Sequence, residues 1–136
     1  PDLVETDGKG PPPTEDVSRL MYFSYANNTT VEVTVAGQRV RSVRKIAPAE
    51  YQPDITDGEV TDAADLARQY FISRGKARVA DLKAYGILAY LPTGKGFYPT
   101  RVIYVSFHPN DDAPPDCAAW VDLTNRLVLR TREEQP

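Results

Sequence analysis

The chain has 136 residues, a formal net charge of −3 and a hydrophobic fraction of 41%, which is enough for a compact domain with a core and excludes global disorder. An acidic balance argues against nucleic acid and anionic membrane surfaces as partners, because both require a basic patch. No run of about 18 apolar residues is present, so no transmembrane helix is predicted in this sequence.

Residues 1–16 predict an extended, proline-rich arm. The segment contains the triplet Pro11, Pro12 and Pro13, and its apolar side chains are Leu3 and Val4. Such a segment cannot form a core, and its prolines favour polyproline II structure. We expect these five residues to contact a partner protein.

Residues 17–47 predict a three-stranded antiparallel meander. Val31, Val33 and Val35 alternate with polar residues, which is the period of a half-buried strand. Turns are predicted at Asn28 and Gly37, where the chain changes from one strand to the next.

The next predicted unit comprises residues 54–132 and begins with a helix. Thr56 stands three residues before Glu59, which is the spacing of a capping box. Apolar residues then recur at helical spacing, so a helix of about 12 residues is predicted to end near Gly75. These apolar residues are Ala63, Leu66, Ala67, Tyr70 and Phe71.

Four strands are predicted after the helix. The run Val79–Tyr90 fits either a short helix or a strand, and its aromatic and aliphatic content favours a strand. Arg101–Phe107 is apolar on both faces, which is typical of an interior strand. The last hairpin is predicted to turn at Thr124-Asn125. The fold class is therefore α+β: an antiparallel meander, then a helix packed on a four-stranded antiparallel sheet.

A partial tandem repeat is also predicted. The segment Tyr22–Asn28 resembles Tyr104–Asn110, 82 positions later (22 to 104), and each copy continues into a hairpin. We expect Arg39 and Arg126, each just past the second turn, to be equivalent. Since the meander has no helix of its own, one face of its sheet needs cover, either from the second unit or from another chain.

Several segments resemble a known family. The run Tyr25–Val35, the return strand Arg39–Arg44 and Gln52-Pro53 before a capped helix resemble the small N-terminal domains of copper amine oxidases. The hairpin Val121–Thr124 also resembles bacterial PepSY-type modules. The resemblance implies a unit of cystatin-like shape over residues 54–132, and a non-catalytic role in packing and architecture.

No catalytic residue, cofactor or metal site is predicted. The oxidase copper site needs three histidines, and this chain has only His108. Its tyrosine-derived cofactor arises from an Asn-Tyr-Asp or Asn-Tyr-Glu sequence, and no Tyr here follows Asn. His108 stands near Asp111, Asp112 and Asp116, but a metal site needs several ligands in fixed geometry, so we expect a solvated loop. Cys117 has no partner for an internal disulfide and is predicted to be a buried structural thiol.

Aromatic residues crowd the segment from Tyr85 to Tyr104. Tyrosine combines an apolar ring with a polar tip and is enriched at protein interfaces. We expect Tyr90, Phe97 and Tyr98 to contact a partner, the alternative being that these rings form the core of the small domain.

The sequence therefore predicts a non-enzymatic protein-interaction module, an accessory or structural subunit of a larger complex, including a membrane-bound one. A small-ligand or peptide-binding module that uses the sheet face is one alternative. A structural domain of a larger oxidase-type enzyme is another. The chain begins at Pro1 rather than Met, which fits removal of a signal peptide, so we expect a periplasmic or secreted location.

Deletion of residues 1–16 should weaken association with a partner and leave the melting temperature nearly unchanged. Ordering each residue costs about 1–2 kcal/mol of backbone entropy, which so few apolar side chains cannot offset. Thermal unfolding and a binding assay of the full-length and shortened chains check this expectation. A deletion that unfolds the protein would show that the segment belongs to the core.

Overall fold

Seven strands and one α-helix form the part of the chain that this computed structural model describes, residues 16–133. The chain divides into two compact units, Pro1–Pro53 and Asp54–Pro136. The proposed contacts Leu3, Val4, Pro11, Pro12 and Pro13 lie outside the described residues.

The first unit is an antiparallel meander of β1 (Val17–Ser24), β2 (Thr29–Ala36) and β3 (Arg39–Ile46), in that order. Both predicted turns are confirmed, because Asn28 and Gly37 have positive φ angles of 49° and 64°. Asn and Gly tolerate this conformation better than other residues. Asp16, assigned to the arm from sequence, belongs with the sheet: its carbonyl accepts a hydrogen bond from the Gly37 N–H at 2.9 Å.

The second unit begins with helix α1 (Asp57–Ser73). The predicted capping box is present: the Thr56 hydroxyl accepts from the Glu59 N–H, and the Glu59 carboxylate accepts from the Thr56 N–H. Arg74 caps the other end, followed by Gly75 with φ 90°. The helix has 17 residues, longer than predicted, because it starts directly after its cap rather than at the first apolar residue.

A four-stranded antiparallel sheet follows in the order β4-β5-β6-β7. Its strands are β4 (Lys83–Leu88), β5 (Val102–His108), β6 (Cys117–Asp122) and β7 (Leu127–Glu133). The ambiguous run Val79–Tyr90 divides between a 3-10 helix, Ala77–Asp81, and β4. The predicted α+β fold and the interior position of β5 are confirmed.

Small residues allow α1 to approach the sheet closely. A Cβ atom at Gly86 of β4 would lie 3.0 Å from a methyl group of Val60, so a side chain there would push the helix away. Farther along, Phe71 packs edge-on against Phe107 of β5, with ring centroids 6.1 Å apart. The buried core between helix and sheet also contains Ala63, Ala64, Ala67, Ile103, Val105, Cys117, Ala119 and Val121.

A buried arginine fixes the start of α1 against the sheet. Arg101, just before β5, is 1% exposed, and its guanidinium donates to both carboxylate oxygens of Glu59 at 2.9 and 2.8 Å. It also donates to the Asp54 carbonyl at 2.9 Å. Two parallel, charge-assisted bonds are the strong form of this contact. Glu59 therefore caps the helix and anchors it at once.

The two meanders share a strand order, but the repeat predicted from sequence has the wrong offset. In β2–β3 the turn is closed by the pair Ala36–Arg39, and in β6–β7 by the pair Asp122–Leu127. Arg39 is thus equivalent to Leu127 by register. The expected equivalence with Arg126 is wrong, because Arg126 belongs to a longer loop and has a φ of 56°.

Arg101→Met should lower the free energy of unfolding by about 3–5 kcal/mol, because it leaves the Glu59 carboxylate without its buried partner. Denaturant unfolding provides the measurement. Arg78→Met is the matched control, since Arg78 pairs with Asp116 at 2.6 Å while 73% exposed, and exposed pairs contribute at most about 1 kcal/mol.

Adding Glu59→Gln to Arg101→Met should recover part of the loss, since glutamine preserves the capping box without an unpaired charge. Equal effects of Arg101→Met and Arg78→Met would contradict the anchoring role of Arg101.

Candidate functional site

One face of the three-stranded sheet is apolar and exposed. Leu20, Val33 and Val43 form a row across the three strands in register, and Leu20 and Val43 are 54% and 60% exposed. Exposed apolar patches on small proteins commonly mark interaction sites. We call this surface the apolar face; it consists of Leu20, Tyr22, Val33, Val35, Val40 and Val43, together with Val31, which is buried between its neighbours at 8% exposed.

The opposite face of the same sheet carries the buried polar residues. Glu32 is 3% exposed and lies between two arginines, with contacts of 3.4 Å to Arg19 and 2.9 Å to Arg44. The Thr30 hydroxyl donates to the Tyr51 carbonyl at 2.6 Å. The first unit thus buries a charged residue on one face while several large apolar side chains stay exposed on the other, which is uncommon in small domains.

The segment after β3 explains how these polar groups are satisfied. Gln52 is 3% exposed, and its side-chain amide donates to the Pro48 carbonyl at 3.2 Å. The Gln52-Pro53 pair that suggested a family resemblance therefore has a structural role within the first unit. Buried polar groups of this kind need such partners, because an unpaired one costs about 1–3 kcal/mol.

A second surface lies on the face of the four-stranded sheet opposite α1. Ile87, Tyr104, Trp120 and Arg130 are cross-strand neighbours on β4 to β7. The Tyr104 and Trp120 rings meet at 4.7 Å, and the Arg130 guanidinium stacks on Trp120 at 3.8 Å. We call these four residues the aromatic row. Its rings and cation could contact an extended peptide or a flat ligand.

The predicted contact residues Tyr90, Phe97 and Tyr98 lie around one loop. Tyr90 and Phe97 form an isolated β-bridge, with ring centroids 4.9 Å apart. Tyr90 is 58% exposed, whereas Phe97 packs against the core and Tyr98 is half-buried. The structure therefore brings two of the three together and leaves Tyr90 accessible.

The predicted His108 loop is held by its own hydrogen bonds. His108 Nδ1 donates to the Ala113 carbonyl at 2.9 Å, and its Nε2 forms a hydrogen bond with the Ser106 hydroxyl at 2.8 Å. Asp111 accepts from Lys83 and from the Tyr85 hydroxyl, and these bonds hold the pKa of its carboxyl below the usual value. Within residues 16–133, no cluster of three His, Cys, Asp or Glu side chains is placed to hold a metal ion.

A groove of about 750 Å³ at the end of α1 was not foreseen from sequence. Val79, Leu82 and Cys117 are among its lining residues. Its two basic groups are already paired: Lys76 contacts Glu133 at 2.8 Å, and Arg78 contacts Asp116. The groove therefore combines apolar side chains with charged groups that are engaged in ion pairs.

Cys117 is a buried free thiol, as predicted. It is 4% exposed, and burial raises its pKa to about 11. Since the thiolate is the nucleophile, this residue is a neutral packing group at physiological pH.

Comparisons with family models, with curated proteins and with solved structures give no match to this chain. The resemblance to copper amine oxidase domains therefore stays a prediction. In the described part of the chain, no helix is long and apolar enough to cross a membrane.

Cys117 should react slowly with iodoacetamide in the folded protein. At pH 8 a thiol with a pKa near 11 is almost entirely protonated, and its sulfur is buried. We expect labelling to be at least about tenfold slower than in the chain unfolded in guanidinium, as measured by intact mass. The chain has one cysteine, so the product is unambiguous. Equal rates in both states would show an accessible thiolate.

Proposed function

We propose that this protein is a non-enzymatic protein-interaction module and that the apolar face of the first unit is its docking surface. As an accessory or structural subunit of a larger complex, it would present this face to another protein chain. A periplasmic or secreted location remains part of the proposal.

The exposure of the apolar face is the observation that carries this proposal. Val40 and Val43 on β3 are 62% and 60% exposed, and Leu20 and Tyr22 on β1 are 54% and 51% exposed. At about 25 cal/mol per Å² of apolar surface, covering such side chains is a favourable source of binding energy. A stable partner would remove them from water.

The contacts of the potential catalytic groups are consistent with a binding role. His108 is engaged by Ser106 and Ala113, Cys117 is buried and neutral, and Arg101 is occupied by Glu59. Each of these side chains stabilises the fold. Cys117 lines the groove at the end of α1, but the charged side chains beside it are engaged in ion pairs, Lys76 with Glu133 and Arg78 with Asp116.

A second candidate function is peptide or small-ligand binding at the aromatic row. The observation that favours it is the stacked pair of Trp120 and Arg130 beside Tyr104. Ile87, at 63% exposed, extends the row at the sheet edge. Aromatic and cationic groups of this kind are enriched at binding surfaces.

Val43→Lys should abolish capture of the natural partner, and Ile87→Lys should leave it intact. The two positions have nearly equal exposure, 60% and 63%, so neither substitution should disturb folding. Burying an unpaired ammonium at an interface is costly, and each 1.4 kcal/mol lowers affinity tenfold. Immobilised wild-type and variant chains, incubated with extract of the producing cells and analysed by quantitative mass spectrometry, give the comparison.

Ile72→Lys on the exposed side of α1 is the neutral control, since Ile72 is 44% exposed and lies on neither surface. Loss of the same partner with Ile87→Lys alone would favour the aromatic row instead. Retention with Val43→Lys would overturn the proposed role of the apolar face.

A further inference from the structure

The two meanders have the same strand register, including the position of one irregularity. In β2–β3 the pairing shifts between Thr34 and Val35, two pairs from the turn. In β6–β7 it shifts between Trp120 and Val121, also two pairs from the turn. Val35 is therefore equivalent to Val121, and β2 can be compared with β6 position by position.

This register matches the apolar face to the face that α1 covers in the second unit. Val33 and Val35 of β2 correspond to Ala119 and Val121 of β6, both fully buried in the core under α1. The first strand follows the same rule, because Val17 pairs with the last residue of β2 as Val102 pairs with the last residue of β6.

Two corresponding positions of β1 and β5 hold large apolar residues in both units, with different exposure, whereas Ser18 stands where the second unit has Ile103. Leu20 is equivalent to Val105, and Tyr22 to Phe107. Val105 and Phe107 are 0% exposed, whereas Leu20 and Tyr22 are 54% and 51% exposed. The first unit therefore has the side-chain pattern of a helix-covered sheet, without a helix from its own described residues on that face.

Basic side chains beside the apolar face indicate the charge that a partner should carry. Lys45 lies in the same cross-strand row as Tyr22 and Val31, and Arg41 stands in the bulged part of β3. Both are exposed, and neither forms an ion pair with a described residue. The strand positions that form this face hold no acidic residue, since Glu32 points to the opposite side with Arg44.

We propose that the apolar face binds an acidic amphipathic helix of a partner protein, in the place that α1 occupies in the second unit. The inference rests on the proposed function and names the chemistry of its partner. The occupant would present apolar residues at helical spacing to the sheet and carboxylates to Lys45 and Arg41. Helix α1 shows the pattern, with Ala63 and Ala67 buried and Asp62 exposed.

A helix fits this face better than the other occupants. An extended peptide would pair with a sheet edge, because its backbone groups need hydrogen bonds that a sheet face does not supply. Two copies joined face to face by a two-fold axis would bring their Lys45 and Arg41 side chains into one interface without an acidic residue. A helix satisfies its own backbone and can supply the missing carboxylates.

Selection from a displayed peptide library tests the proposal with the full chain as target. The library is built on the α1 sequence, residues 57–73, as stapled helices with the buried positions varied among Ala, Val, Leu and Phe. Selected helices are synthesised and titrated against wild type, Val43→Lys, Lys45→Glu and Ile87→Lys. We expect one-to-one binding that is at least tenfold weaker with Val43→Lys and Lys45→Glu, and unchanged with Ile87→Lys.

Three outcomes would overturn the inference. One is a library that yields no helix sensitive to Val43→Lys. Another is a wild-type dimer in sedimentation equilibrium that Val43→Lys converts to monomer, which would make a second copy the occupant. The third is binding to phosphatidylglycerol vesicles that Val43→Lys abolishes, which would make a lipid surface the occupant of the apolar face. If capture of the natural partner still depends on Val43 in any of these cases, the proposed function stands and only the helical occupant fails.

Discussion

A buried ion pair between Arg101 and Glu59 fixes how the second unit is assembled. The guanidinium comes from the start of β5 and the carboxylate from the first turn of α1, 42 positions earlier. Arg101 is 1% exposed, and a buried charge without its partner is costly. The helix therefore has one favourable position on the sheet, the one in which Glu59 contacts Arg101. With α1 held there, the inner faces of β5 and β6 become the core.

The first unit shows what the same sheet looks like without such a helix. Its central strand has valines at the positions that form the core of the second unit, yet the neighbouring Leu20 and Val43 remain exposed. On the opposite face, Arg44 donates a hydrogen bond to the buried Glu32 carboxylate. The unit thus buries Thr30 and Glu32 on one face and leaves large apolar side chains exposed on the other, which is the physical basis of the proposed docking function.

Local signals in the sequence predicted most of the secondary structure. Thr56 and Glu59 identified the start of the helix because a capping box depends on residues three positions apart. Gly37 identified a turn because it adopts positive φ without strain. The continuous apolar content of β5 indicated an interior strand, which needs no knowledge of its neighbours.

Other features escaped the sequence because they depend on pairing rather than on local pattern. The match of Tyr22 with Tyr104 in sequence gave an offset of 82. The strand register instead makes Tyr22 equivalent to Phe107, an offset of 85 (22 to 107). The two offsets differ by three positions, and a shift by an odd number of positions moves a side chain to the other face of a strand. The sequence repeat therefore matched residues that point to opposite faces of their sheets. Arg101 appeared to be the first residue of a strand, and nothing near it in sequence indicated Glu59 as its partner. The groove beside Cys117 likewise forms only where the end of α1 meets the loop before β6.

By itself, the sequence determined the order of the helix and the strands and the α+β class, because propensities and capping act over a few residues. Only the tertiary structure decided which side of each sheet is covered. Alternation along β2 creates an apolar and a polar face, but it cannot say which one meets water, since that depends on where distant segments such as Tyr51 and Gln52 pack. Exposure of the apolar face, and with it the candidate docking surface, is therefore a property of the fold.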